Sequence, residues 1–145
     1  MKSLRLGLLL LSVFLFVNSR PSSAGLSSSP SPQNQLELTE KACADYKKAD
    51  TEMNSIYRRI LAENQNDRLF VQKMRAAQRA WVAFRDAHLE SLFPAPDKRA
   101  AYGSVQPMCH CMELEKITAE RAKVLKQWLD GVEEGDVCAG SIKTK

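Results

Sequence analysis

The sequence predicts an all-α protein, a small antiparallel three-helix bundle with disulfides that follows a cleavable signal peptide. Three observations lead to this fold class: a short apolar segment near the N-terminus, helical apolar spacing from Leu36 onward, and four cysteines beyond the apolar segment. The length of 145 residues allows one domain and excludes Rossmann and barrel enzymes, which need roughly 200 residues or more.

The first 24 residues have the composition of an export signal. Lys2 and Arg5 precede an apolar run over residues 6–17, which is too short to cross a bilayer core of ~30 Å as a helix. Small residues follow and offer cleavage after Ser19 or after Ala24. We therefore expect a periplasmic or secreted protein without a lipid anchor or a membrane contact, the alternative being an uncleaved membrane anchor.

Removal of this segment changes the charge of the protein. The whole chain has a formal net charge of +4, but the first 24 residues contain three basic residues and no acid, so +1 remains. Such a balance argues against a basic nucleic-acid binder, and we predict no nucleic-acid partner.

Beyond the signal, the chain divides into a tether and one helical domain. Residues 25–35 are rich in Ser and Pro and predict a flexible tether, while the domain is expected over residues 36–131. The first helix is predicted from its N-cap Thr39 to Asn64. Its apolar stripe consists of Tyr46, Ala49, Met53, Ile56, Tyr57, Ile60 and Leu61.

Two more amphipathic helices follow. The second is predicted over residues 67–92, because Pro94 lacks the backbone amide that a helix needs. Its predicted inward face consists of Phe70, Met74, Ala77, Trp81, Phe84 and His88. The third is predicted over residues 108–129, before Gly131, and an irregular tail over residues 132–145 ends the chain. The stripe of the third helix consists of Cys111, Leu114, Ile117, Arg121, Val124, Leu125 and Trp128.

The four cysteines predict two disulfides, because an even number in an exported chain normally pairs. In an up-down-up bundle the first and third helices are parallel, which brings Cys43 and Cys111 to the same end. We therefore expect the pairs Cys43–Cys111 and Cys109–Cys138, the second of which requires the tail to double back along the third helix. Cys43–Cys109 with Cys111–Cys138 is the alternative.

No catalytic or metal site is recognisable. Residues from Met108 to Met112 include soft ligands for copper or zinc, but oxidised cysteines and the lack of a second Cys/His cluster argue against a metal. His88 has Asp86 and Glu90 near it in sequence, yet such neighbours on a helix point apart. We predict no cofactor, no metal and no enzyme activity.

The segment over residues 78–86 is the most distinctive part of the sequence. Gln78 and Arg85 flank the predicted inward face of their helix. Arg121 lies in an apolar stripe and needs a partner, for which Asp50 and Asp86 are candidates. A structural polar network that fixes the register of the helices accounts for these residues.

Together with its flanking motifs, this segment resembles the LprI-like lysozyme inhibitor N-terminal domain, a family of small exported bacterial helical proteins. The resemblance extends from Cys43 to Leu129, and its structural motif residues here are Tyr46, Asp50, Tyr57, Gln78, Trp81, Phe84, Arg85, Asp86 and Arg121. Family members often have a cysteine just after the Arg-Asp pair, which residues 87–89 lack, so the family's disulfide pairing cannot be carried over. The resemblance implies an envelope protein that binds and inhibits lysozyme.

The segment over residues 93–107 is the predicted inhibitory contact. Lysozymes cleave glycans with paired carboxyl groups in a cleft, and a loop with cations and hydrogen-bond donors is able to block that cleft. The predicted contact residues are Lys98, Arg99, Tyr102 and Ser104. The alternatives are an ordinary connector and, for the whole protein, a non-inhibitory binding or structural module for a small ligand, a metal or a protein. The sequence predicts no oligomeric state.

Overall fold

The computed structural model describes residues 32 to 145, which form four helices: α1 (Pro32–Glu63), α2 (Arg68–Leu92), α3 (Lys98–Tyr102) and α4 (Gln106–Asp130). The predicted all-α class is confirmed, with the short helix α3 added inside the expected connector. Within the described residues, no helix combines the length and apolar character needed to cross a membrane. The predicted signal peptide and most of the tether lie outside the described residues.

α1 begins at Pro32 rather than at Thr39, so the last residues of the predicted tether are helical. Gln35 is only 8% exposed, and its Nε2 lies 3.7 Å from the sulfur of Met108 on α4. Gln, Glu and Leu all favour helices, and contact with α4 keeps this first part of α1 ordered. The composition of these residues predicts a tether, because their contact with α4 is not visible in the sequence.

Local signals fix most of the other helix ends. Asp67 and Asp97 each accept a hydrogen bond at 2.9 Å from the backbone amide three residues later, and so cap α2 and α3. α2 ends at Leu92, before Pro94, as predicted. α4 ends at Asp130, and its C-cap Gly131 adopts a φ of 76°, a conformation that favours glycine.

α1 and α4 are parallel neighbours with the most extensive contact in the fold, and α2 packs against both. The disulfide between Cys43 and Cys111 joins the N-terminal parts of α1 and α4, with Cα atoms 4.9 Å apart. The predicted first disulfide is therefore confirmed. The buried core consists of Met53, Ile56, Ile60, Met74, Ala122 and Leu125.

Half of the face predicted for α2, namely Phe70, Met74 and Trp81, packs in or against the core, and the other half does not. The buried residues of α2 are Met74, Gln78 and Leu89. The prediction followed the apolar residues and placed Phe84 inward, but Phe84 is 59% exposed and stacks on His88 with ring centroids 5.8 Å apart. Gln78 takes an inward place because it forms a hydrogen bond with Arg121 on α4.

The tail over residues 132–145 contains no helix and closes on itself beside the C-terminal end of α4. Val132 donates its N–H to Lys143 O at 3.0 Å and accepts the N–H of Lys145 at 3.0 Å. Trp128 Nε1 also donates to Ser141 Oγ at 3.1 Å. These bonds hold the tail at one end of the bundle.

The predicted second disulfide is wrong, because Cys109 and Cys138 are both free. Cys109 lies in the first turn of α4, and about 20 helical residues at ~1.5 Å each place it ~30 Å from the end where the tail closes. A disulfide requires Cα atoms within about 7 Å. The alternative pairing is also wrong, since Cys43 and Cys111 bond to each other.

Candidate functional site

Several of the motif residues form a polar cluster where the three long helices meet. Trp81 has two guanidinium groups over its ring, that of Arg85 at 5.5 Å and that of Arg121 at 6.0 Å from the ring centroid. Arg121 Nε donates to Gln78 Oε1 at 3.1 Å, and Gln78 Nε2 lies 3.0 Å from the sulfur of Met53. A chain of contacts thus runs from α4 through α2 to α1.

Neither carboxylate predicted for Arg121 pairs with it. Asp86 accepts from Arg85 Nε at 2.8 Å, and Asp50 accepts from Asn54 Nδ2 at 2.9 Å. Each carboxylate is held by a residue of its own helix, which is why it does not reach across to α4. Burial lowers the pKa of Arg121, whose guanidinium is held by an amide oxygen and an aromatic ring instead of a carboxylate.

Tyr46 completes the cluster from α1. Burial raises the pKa of its phenol above the ordinary value of 10.0, Asp50 and Asp86 add to the rise, and Arg85 opposes it. The phenol is therefore neutral at physiological pH. Tyr57 packs against the buried core, whereas Phe84 lies outside the cluster. The arrangement joins the three long helices.

The predicted inhibitory segment is ordered around α3. Lys98 Nζ donates to Glu90 Oε2 on α2 at 2.9 Å, which engages one of the predicted cations. The Tyr102 hydroxyl accepts the N–H of Ala95 at 3.2 Å, and the Tyr102 ring packs edge-on against Phe93 with centroids 5.4 Å apart. Two of the four predicted contact residues thus hold the segment in shape.

The other two predicted contact residues face solvent. Arg99 and Ser104 are exposed, and neither side chain has an ion pair or hydrogen bond to another described residue. Gly103 lies between them with a φ of 73° and ends α3, its amide donating to Arg99 O at 2.9 Å. The segment therefore presents one unpaired guanidinium on a hydrogen-bonded turn at the end of the bundle that also contains the disulfide.

A second surface feature, which the sequence did not reveal, is a groove of about 980 Å³ between α1 and α4. No residue of α2 or α3 lines it. Its apolar lining consists of Leu38, Ala42, Ala49, Cys109, Met112 and Ala119. Alanines at these positions leave space between two closely packed helices, and charged residues of both signs surround it. Its volume lies in the range of small-molecule sites.

The residues weighed for catalysis or metal binding are dispersed. His88 Nε2 lies 3.1 Å from Glu113 Oε1, a contact that links α2 to α4. Cys111, which lies in the segment of soft ligands, is committed to the disulfide. Between residues 32 and 145, no three His, Cys, Asp or Glu side chains are close enough to share a metal ion.

Comparison with known proteins places the chain in a family. The family model described as Lysozyme inhibitor LprI matches residues 27–125, which include all of α1, α2 and α3 and most of α4. A Rhizobium meliloti (strain 1021) protein with the name Uncharacterized protein R02472 is 30% identical over 111 residues, which cover 69% of this chain and 77% of that protein. No solved structure matches the chain significantly. As the motif around Trp81 predicted, the chain belongs to the lysozyme inhibitor LprI family.

Proposed function

We propose that the protein inhibits lysozyme by binding to it outside the cytoplasm. The observation that carries the proposal is the family match over residues 27–125, which covers the disulfide, the polar cluster and the segment around α3. A disulfide between α1 and α4 fits an oxidising compartment, since such bonds are rare in the cytosol. Inhibition by contact requires a rigid surface and no chemistry of its own.

The segment over residues 93–107 is the contact that we favour. A lysozyme cleft contains two carboxyl groups, which an exposed guanidinium complements in charge and hydrogen bonding. Arg99 supplies that group, and Ser104 supplies a hydroxyl on the same turn. Lys98 and Tyr102 support the contact indirectly, because their bonds to α2 and to Ala95 reduce the entropy lost on binding.

The test is a clearing assay with purified protein, several lysozymes and a bacterial cell-wall suspension. The wild-type protein should slow clearing in proportion to its concentration, and Arg99→Glu should weaken inhibition at least ~10-fold, as expected for a central charged contact. Lys123→Glu is the matched control, because Lys123 is an exposed cation on α4 whose side chain makes no ion pair or hydrogen bond to another described residue. Clearing at the uninhibited rate over a wide excess of protein, with every lysozyme, would refute inhibition.

The groove between α1 and α4 favours a second candidate, a binding module without inhibitory activity. Its open apolar lining is a surface on which a partner is able to dock away from α3. Ala119→Trp fills this groove without touching the segment around α3. If Ala119→Trp abolishes inhibition and Arg99→Glu does not, lysozyme binds at the groove and not at the segment around α3. If the wild-type protein inhibits no lysozyme, a binding module without inhibitory activity is the better account of the protein.

A further inference from the structure

One face of α2 carries a row of arginines without partners. Arg68, Gln72, Arg75 and Arg79 follow one another at steps of four, three and four residues, which places them on one face of the helix. All four are exposed, and the three arginines make no ion pair or hydrogen bond to any other described residue. Neither the polar cluster nor the segment around α3 uses them.

The charge of this part of α2 differs from the charge of its surroundings. The row contributes three positive charges, although residues 32–145 together carry a net charge of only +1. The described residues outside the row therefore have a net charge of −2. A concentrated positive row on an otherwise acidic molecule attracts anions to one narrow place.

The shape of the surface agrees with a narrow ligand. A shallow groove of about 400 Å³ is lined by Arg68 and Gln72, among others. A second groove of about 360 Å³ has Tyr57 in its lining. The two grooves adjoin at Arg75 and Arg79, which line both of them. The row from Arg68 to Arg79 extends for ~16 Å at the helical rise of about 1.5 Å per residue. Arg68 also lies at the positive, N-terminal end of the α2 dipole.

We propose that this row binds a thin, linear polymer whose phosphate groups repeat along its length. Guanidinium groups form paired hydrogen bonds with phosphate oxygens, and every cation of the row is an arginine. The length of the row favours several phosphates in sequence over a single ion. A broad polyanion such as duplex nucleic acid would meet the acidic remainder of the surface, which a single thin chain avoids.

The test compares polymers of matched charge by fluorescence titration of the purified protein. Inorganic polyphosphate and a glycerol phosphate polymer are the two phosphate probes, and poly-glutamate is the carboxylate probe. The wild-type protein should bind at least one phosphate polymer, and three contacted phosphates predict a roughly 20-fold loss of affinity between about 50 and 200 mM salt. Binding of only one of them would identify an anhydride or a diester as the preferred linkage.

Two triple variants distinguish the effect of the arginine row on binding from the effect of the net charge of the protein. Arg68→Gln/Arg75→Gln/Arg79→Gln should weaken polymer binding at least ~10-fold, because three phosphate contacts are lost. Lys47→Gln/Arg58→Gln/Lys123→Gln removes the same charge from exposed positions of α1 and α4 and should retain most of the affinity. Circular dichroism checks that both variants keep their helices.

Three results would overturn the proposal: no binding of either phosphate polymer, equal losses in the two variants, or equally tight binding of poly-glutamate. The last result would assign the row to an acidic protein segment instead. Lysozyme inhibition is measured on the same variants and should not change, since Arg99 lies outside the row. Failure of polymer binding with intact inhibition would therefore remove this inference and leave the proposed function in place.

Discussion

Gln78 holds the guanidinium group of Arg121, whose Nε donates to Gln78 Oε1 over 3.1 Å. The amide is buried and its other end contacts the sulfur of Met53, so one neutral side chain joins all three long helices. A carboxylate at residue 78 would instead be a buried charge, and burying it would cost free energy whenever its contact with Arg121 was broken. The amide satisfies a half-buried cation without placing a second charge in the core.

Loss of this amide should destabilise the fold. Gln78→Leu leaves Arg121 without its hydrogen-bond acceptor, and we expect a loss of about 2 kcal/mol in the free energy of unfolding. Urea denaturation followed by circular dichroism measures it. Gln72→Leu, at an exposed residue of the same helix, should change little. Gln78→Leu/Arg121→Met should recover most of the loss, and equal effects of Gln72→Leu and Gln78→Leu would contradict this role.

The disulfide should be a major source of stability. It closes a loop with a sequence separation of 68, for which chain entropy predicts about 4 kcal/mol. Cys43→Ala/Cys111→Ala should lower the urea midpoint accordingly and remove the effect of a reducing agent. Cys109→Ala/Cys138→Ala is the control and should keep both the midpoint and the sensitivity to reduction. A control variant that lost as much stability would point to a different pairing.

The tail should depend on Gly131. This residue has a φ of +76°, and a Cβ there would lie 2.8 Å from Lys143 O, whereas Gly135 has a φ of +94° and open space around it. Both alanine variants incur backbone strain of about 1–2 kcal/mol. Gly131→Ala should lose at least ~1 kcal/mol more because its Cβ meets the returning tail. Thermal unfolding measures the difference, and equal losses would show that the tail moves aside freely.

Tyr46 should give the fold a pH dependence in the alkaline range. Burial raises the pKa of its phenol in the folded state above 10.0, so the folded protein holds this proton more tightly than the unfolded chain. Below pH 10.0 the phenol is protonated in both states, so its contribution to the free energy of unfolding does not change with pH. As the pH rises from 10.0 through the folded-state pKa, the unfolded chain loses this proton first and the free energy of unfolding falls. Urea midpoints measured across this range should fall less for Tyr46→Phe than for the wild-type protein, and Tyr57→Phe is the control.

Spacing and breakers in the sequence were enough to predict the long helices. Pro94 and Gly131 mark the ends of α2 and α4, and apolar residues at helical steps predict the buried residues of α1. Parallel first and last helices then predict the Cys43–Cys111 disulfide, because both cysteines lie near the N-terminal ends. These features depend on local signals or on the order of the helices.

The remaining features depend on contacts between distant residues. Gln78 lies in the core because of Arg121, while Phe84 lies outside it, and no rule based on hydrophobicity predicts that exchange. Gln35 becomes helical because α4 buries it. The tail returns to Val132 through an isolated β-bridge, which no periodic pattern in the sequence predicts. This return keeps Cys138 away from Cys109.

That separation limits the oxidation chemistry of the protein. With one thiol near the start of α4 and the other on a loop beyond its end, a single folded molecule is unable to join them. Any additional cystine must therefore link one copy to another. Cross-links that connect opposite ends of successive molecules would build chains and not closed pairs, so oxidative ageing of purified material should appear as a ladder on a non-reducing gel.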